Sequence, residues 1–292
     1  MKTVQWLKEE LELNGDLTEL MDVLKGIAVS EFWALSKKMG RFTRFMKAFE
    51  GFFQMMDFSA SEHPFTKEHG SLGIIMVTSN EGFMGGLNSR VINTALSYRG
   101  ADEAELMIVG EQGAAYLESL GRRFVDFPGV VTGECYEAAL SLRDYIMAEG
   151  RAGKFGKLIL FYPKPLSFMA QKVEILTILP CVKLFEKRPE EMGKKVAPII
   201  ESSVDDIVEY LVETWIVQKL FEVFEDSKLA EFSARTVHLE ESYQILLEQG
   251  KGIRYQYFRG RHELVDAGMR DIYSAQIVRK KARRRKVKGE DA

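Results

Sequence analysis

The stretch of this 292-residue chain best suited to chemistry is Val77-Thr78-Ser79-Asn80-Glu81-Gly82-Phe83-Met84-Gly85-Gly86-Leu87-Asn88. It follows an apolar run and opens a helical one, so Gly82, Gly85 and Gly86 lie where the free N–H groups of a helix start can hold a phosphate. The Gly-x-x-Gly-Gly spacing is neither the dinucleotide fingerprint nor a Walker loop, and no Lys-Ser/Thr pair follows to reach phosphate and magnesium. The turn is therefore read as structural, its glycines permitting a tight reversal and close packing of helix on strand.

Other reactive groups are scattered. The acidic pairs Glu9-Glu10, Asp205-Asp206 and Glu240-Glu241 are candidates for acid/base work, but helical neighbours point about 100° apart and none follows a pocket signal, so they read as solvated faces. Cys135 and Cys181 have no Cys or His at ligand spacing, which supports neither a disulfide scaffold nor a zinc site. His63, His69, His238 and His262 lie apart and carry little weight. No cofactor is expected.

Charge narrows the classes further. Eight of the ten residues from Arg279 to Lys288 are basic while the whole chain carries −3, so everything outside that run carries −11. A globally basic, nucleic-acid-binding protein is excluded, and only the tail keeps that option. It has no interleaved aromatics to stack on bases. A coiled-coil adaptor using this tail on nucleic acid or an anionic surface stands as the alternative function. With 46% hydrophobic and 28% charged residues the chain has ample core. No stretch approaches the roughly 18 apolar residues of a membrane span, and Lys8, Glu9 and Glu10 interrupt the N-terminus where a signal peptide would be apolar, so a cytosolic location is expected.

The positioning elements follow from proline. All seven, Pro64, Pro128, Pro163, Pro165, Pro180, Pro189 and Pro198, fall in one central block, leaving 63 residues before and 94 after free to form long helices. The N-terminal arm carries a stripe, Leu13, Leu17, Leu20, Leu24, Ala28, Phe32, Leu35, Met39, Phe42, Met46, Phe49, Phe53 and Met56, in steps of three and four. The C-terminal arm repeats it with Val212, Ile216, Leu220, Val223, Ser227, Ala230, Ala234 and Val237. Small Ser227, Ala230 and Ala234 suit large knobs such as Phe42 and Phe49 opposite, so the two arms are expected to pair antiparallel. Gly250, Gly252, Gly260 and Gly268 leave the continuity of the second helix open.

Between the arms, Leu72–Thr78, Leu106–Val109, Phe124–Phe127, Lys157–Tyr162 and Glu174–Leu179 are short β-rich runs separated by amphipathic stretches Leu87–Tyr98, Gln112–Leu120 and Tyr136–Glu149. That alternation predicts a small α/β, Rossmann-like domain with a mostly parallel sheet. The expected divisions are 1–63, an N-terminal shaft helix; 64–190, the inserted α/β domain; 191–275, a C-terminal shaft helix; and 276–292, a basic tail.

This order of helix, α/β insertion and helix, with VTSNEGFMGGLN at Val77–Asn88, resembles the gamma subunit of the rotary F-type ATP synthase, whose corresponding turn reads close to VTSDRGLCGGLN. Val77, Thr78, Ser79, Gly82, Gly85, Gly86, Leu87 and Asn88 match, while Asn80, Glu81, Phe83 and Met84 depart. Ala230-Glu231-Phe232-Ser233-Ala234-Arg235-Thr236 is similar to the family's alanine-serine-glutamate-histidine-alanine-alanine-arginine-methionine type stretch, and Tyr257, Arg259 and Arg261 fall on later tyrosine and basic positions. The family's first helix is basic; here Lys8 to Glu31 holds seven acids against two lysines.

The resemblance implies a divergent, non-catalytic rotor shaft coupling ion-driven rotation to conformational change in the catalytic beta subunits. It implies alpha and beta ring subunits as partners, with the epsilon subunit and the membrane ring at the foot. It also implies a peripheral place on the inner, cytoplasmic side of the energy-coupling membrane, and neither a small-molecule substrate nor nucleic acid as a ligand. The expected shaft seam is Phe32, Leu35, Met39, Phe42, Met46 and Phe49 with Ala230 and Ala234; the expected partner contacts are Arg235, Arg259, Arg261, Arg279, Lys280, Arg283 and Arg284.

Overall fold

The computed structural model describes residues 3–37, 65, 71–181 and 203–289. They fall into two units, Met1–Leu24 with Leu239–Ala292, and Lys25–His238.

In the second unit the β-branched and aliphatic runs become five strands, β1 (Leu72–Val77), β2 (Glu105–Val109), β3 (Val125–Phe127), β4 (Lys157–Ser167) and β5 (Ala170–Leu179). The sheet order is β3-β2-β1-β4-β5, with β5 alone antiparallel. Strands of a sheet covered on both faces need apolar residues at successive positions, and β1 and β2 have them. Ile74 and Met76 face one layer with Leu106, Ile108, Ile159 and Phe161; Ile75 and Val77 face the other with Met107, Val109, Leu158 and Leu160.

Three crossover helices connect the parallel strands: α2 (Leu87–Leu96), α3 (Glu111–Ser119) and α4 (Cys135–Arg151). The first two cover one face through Val91, Ile92 and Leu117. On the other face α4, through Ala139, Leu142 and Ile146, is joined by the first part of α5 (Val204–Gly289) through Val208, Val212, Ile216, Leu220 and Phe224. The stripe Val212, Ile216, Leu220 and Val223 is buried against the sheet, and the residues expected opposite it, such as Phe42 and Phe49, lie outside the described residues. With α2 and α3 on the far face, α4 alone leaves apolar sheet surface that a second helix must cover. Arg143 and Arg151 of α4 pair with Glu213 and Glu209 of α5 along this layer.

β4 runs five residues past the expected end, through Pro163 and Pro165, because its pairing with β1 stops at Phe161. Beyond that point only β5 accompanies it, and two prolines of the same parity turn their missing donors to the unpaired edge.

The first unit is a helix pair. α1 (Val4–Ser36) contributes residues up to Leu24 and α5 contributes residues from Leu239. α5 is one helix through Gly250, Gly252, Gly260 and Gly268, which answers the open question of continuity. A Cβ on Gly250 would lie 2.5 Å from Asn14 Oδ1, and one on Gly260 3.1 Å from Val4 Cγ2, so the helices run antiparallel. The buried line on α1 is Leu7, Asn14 and Met21, spaced by seven, as in a coiled-coil seam. Leu13, Leu17 and Leu20, expected in the seam, are 59, 37 and 48% exposed. The side-chain-free surface at Gly250 admits the amide of Asn14 at close range, which sets Asn14 in the seam.

In the second unit Ala28, Phe32 and Leu35 are buried. Met39, Phe42, Met46, Phe49, Phe53 and Met56 lie outside the described residues.

Candidate functional site

The glycine turn is tied to α5 of its own unit. Gly85 and Gly86 take φ of +55 and +83°, which glycine adopts without Cβ strain, and Gly86 is the residue preceding α2. Phe83 takes φ of +63°, an uncommon conformation for a bulky side chain, and its ring is half exposed. The polar groups of Ser79 and Asn88 are satisfied within the turn. Asn88 Nδ2 donates to Ser79 Oγ at 2.8 Å, Ser79 N donates to Asn88 Oδ1 at 3.3 Å, and Ser79 Oγ donates to Glu81 O at 2.7 Å. Asn80 Oδ1 accepts from Glu111 N at 3.2 Å at the start of α3. What the turn offers outward is a docking edge.

That edge meets residues 234–238. Met84 and Leu87 enclose Ala234, so Ala234 has the turn as its neighbour. Arg235 Nη2 lies 2.8 Å from Glu81 Oε2, Arg235 Nε donates to Gly82 O at 3.4 Å, and the guanidinium sits over the Phe232 ring. Gly85 lies against the imidazole of His238. Glu81, a departure from the family's turn, is thus the partner of Arg235.

A second grip comes from the tip of the β4–β5 hairpin. Ser233 Oγ donates to Phe168 O and Gln171 Nε2 donates to Ser233 Oγ, both at 2.6 Å. Phe168 packs edge-on to Phe32 with ring centroids 4.8 Å apart and stacks on Trp33, while Phe32 and Leu35 share a cluster with Leu229 and Phe232. The sequence hid this junction: the hairpin tip is short and mixed, and its aromatic carries no periodic signal.

Just before the grips on α5, Lys228 Nζ and Glu231 Oε2 pair at 2.8 Å, with Glu231 3% exposed. Burial, only partly offset by Lys228 and Arg235, raises the Glu231 carboxyl from the ordinary 4.5 to about 7. Asp226, facing Lys164 at 3.7 Å, is likewise raised by burial.

The remaining candidates are plainly placed. Arg259 Nε lies 3.1 Å from Glu263 Oε1 on the exposed side of α5, and Arg261, Arg279 and Lys280 are exposed. Arg283 and Arg284 belong to α5, and their side chains lie outside the described residues. Ala230 is fully buried. Asp205 and Asp206 open α5, where Ser203 Oγ accepts from Asp206 N at 3.1 Å and the carboxylates suit the helix dipole. Cys135 and Cys181 are buried thiols, pushed up by burial. Among the described residues no His/Cys/Asp/Glu group could hold a metal ion, and no helix is long and apolar enough to cross a membrane.

Comparisons with known proteins agree with this geometry. A family model described as ATP synthase matches residues 4–276. The ATP synthase gamma chain of Ruminococcus albus is 26% identical over 242 residues, covering 78% of this chain and 83% of that one. The gamma chain of Trichlorobacter lovleyi is 23% identical over 219 residues, covering 73% and 75%. Among solved structures, a chain of the Euglena gracilis mitochondrial ATP synthase OSCP/F1/c-ring assembly matches with a TM-score of 0.68 at 15% identity, covering 94% of each chain. A chain of the Tetrahymena thermophila central stalk/c-ring matches at 0.57 and 16%, covering 76% and 99%. Nothing among them supports the adaptor reading. The chain belongs to the ATP synthase family, among its gamma chains, whose part in the complex is the non-catalytic central stalk.

Proposed function

We propose that this chain is the central rotor shaft of a rotary ATP synthase or ATPase, with the helix pair of the first unit turning within a ring of alpha and beta subunits. The α/β domain meets an epsilon subunit and the membrane ring, on the inner side of the energy-coupling membrane. Nucleotide chemistry belongs to the ring; this chain works by presenting different faces to the beta subunits in turn, so that differential contact favours one conformation of each.

The observation that carries this reading is the antiparallel pairing of the two ends of the chain, Asn14 against Gly250 and Val4 against Gly260, with a whole α/β domain inserted between them. Arg259, Arg261, Arg279 and Lys280 are the proposed contacts for acidic ring surfaces, and α5 continues to Gly289, past the end of the family match at 276. Affinity purification through a tag on this chain tests the reading. Alpha and beta subunits with Walker motifs should co-purify in an ATP-hydrolysing complex; recovery of the chain alone would overturn it. Removing residues 276–292 should weaken assembly or coupling, and unchanged coupling would reject the role of the basic end.

A further inference from the structure

α1 carries two apolar stripes, one buried and one exposed. Leu7, Asn14 and Met21 form the buried seam. Leu13, Leu17 and Leu20 form the second, lying about 90° around the helix from the first at 100° per residue. They are 37 to 59% exposed. Their spacing of four and three makes a straight strip along the helix, the pattern that accepts knobs from another α-helix. A further 90° or so around lie Glu9, Glu12, Asp16 and Glu19, all exposed. Residues 3–24 hold six acids and one lysine, Lys8. Lys8 Nζ reaches Glu12 at 3.6 Å and Gln5 donates to Glu9 at 2.9 Å, both within one turn of α1.

We propose that this acid-bordered leucine strip docks an amphipathic helix of a partner subunit whose apolar face is flanked by lysine and arginine. The apolar spacing selects a helix as the occupant, and the run of carboxylates selects its charge. A partner with an acidic border would meet like charge along three turns, whereas a basic one gains complementary charge that steers its approach and fixes its register. The strip lies on α1, whereas the basic positions Arg259, Arg261 and Arg279 lie on α5. The proposal rests on the rotor reading and names the chemistry of one of its partners.

The test uses the assembled complex, isolated through a tag on the full chain. A photoreactive benzoylphenylalanine replaces Leu17, the complex is irradiated, and the adduct is mapped by mass spectrometry. The expected adduct lies on a helical segment of a co-purified subunit with net positive charge. A second variant, E9K/E12K/D16K/E19K, which touches no seam residue, should lower retention of that subunit about tenfold at low salt, with the difference shrinking as salt rises. An adduct on an acidic segment, or co-purified subunits with no adduct, overturns the docking proposal alone. Absence of alpha- and beta-type ATPase subunits from the preparation overturns the rotor reading and this proposal with it.

Discussion

The two units solve the problem of burial differently. In the α/β domain Ile74, Ile75, Met76, Leu158, Leu160 and Phe161 are closed off completely, because β1 and the first part of β4 are roofed on both faces. In the helix pair, among the described residues, α1 is covered along the single line Leu7, Asn14 and Met21. The domain carries its own stability; the pair is made to be read from outside.

The largest effect should come from the domain. Phe161→Ala, removing a fully buried ring between α2 and the sheet, should cost about 3–5 kcal/mol in chemical denaturation. A loss under 1 kcal/mol would show that this core is not the tight one.

Next is Glu231. Its raised value means that the folded state holds this proton more tightly than the unfolded chain, so stability falls as pH rises from about 5 through 7. The slope should approach about 1 kcal/mol per pH unit within that window, and Glu231→Gln should flatten it. An unaltered profile would mean that the carboxyl is not titrating there.

In the helix pair, Gly250→Leu should loosen the seam by about 1–3 kcal/mol, seen as faster amide exchange over residues 4–24, since its side chain must displace Asn14. Gly252→Ala, with open space around it, should instead stabilise by up to about 1 kcal/mol. Equal outcomes for the two glycines would remove the register argument. The smallest effect belongs to Lys251→Ala, which breaks the exposed pair with Glu248 and should cost under about 0.5 kcal/mol.

The domain could be read from sequence because a strand roofed on both faces must be apolar at nearly every position: LGIIMVT and KLILFY admit few other readings. The turn was equally open, since Gly85 and Gly86 mark positive φ directly. The helix pair misled because α1 bears two stripes with nearly the same repeat. Hydrophobicity picks the leucine-rich one, yet the seam goes to Leu7, Asn14 and Met21, whose selection depends on Gly250 some 236 positions away. The junction at Ser233 and Arg235 was half visible. Arg235 lay in a family-like stretch, while Phe168 and Gln171, which grip the same helix, had no pattern to announce them.

The hold on residues 233–238 has a mechanical consequence. A smooth cylinder gripped only by apolar contact slips under torque, because sliding around its axis exchanges one greasy contact for another. Here the hairpin tip fastens Ser233 by directed hydrogen bonds, and the glycine turn fastens Arg235 through Glu81 and the carbonyl of Gly82. Rotation of the helix within its own domain would break both at once, as turning a keyed axle in its hub would shear the key. Twist applied to the domain is therefore delivered to the helix at a fixed angle.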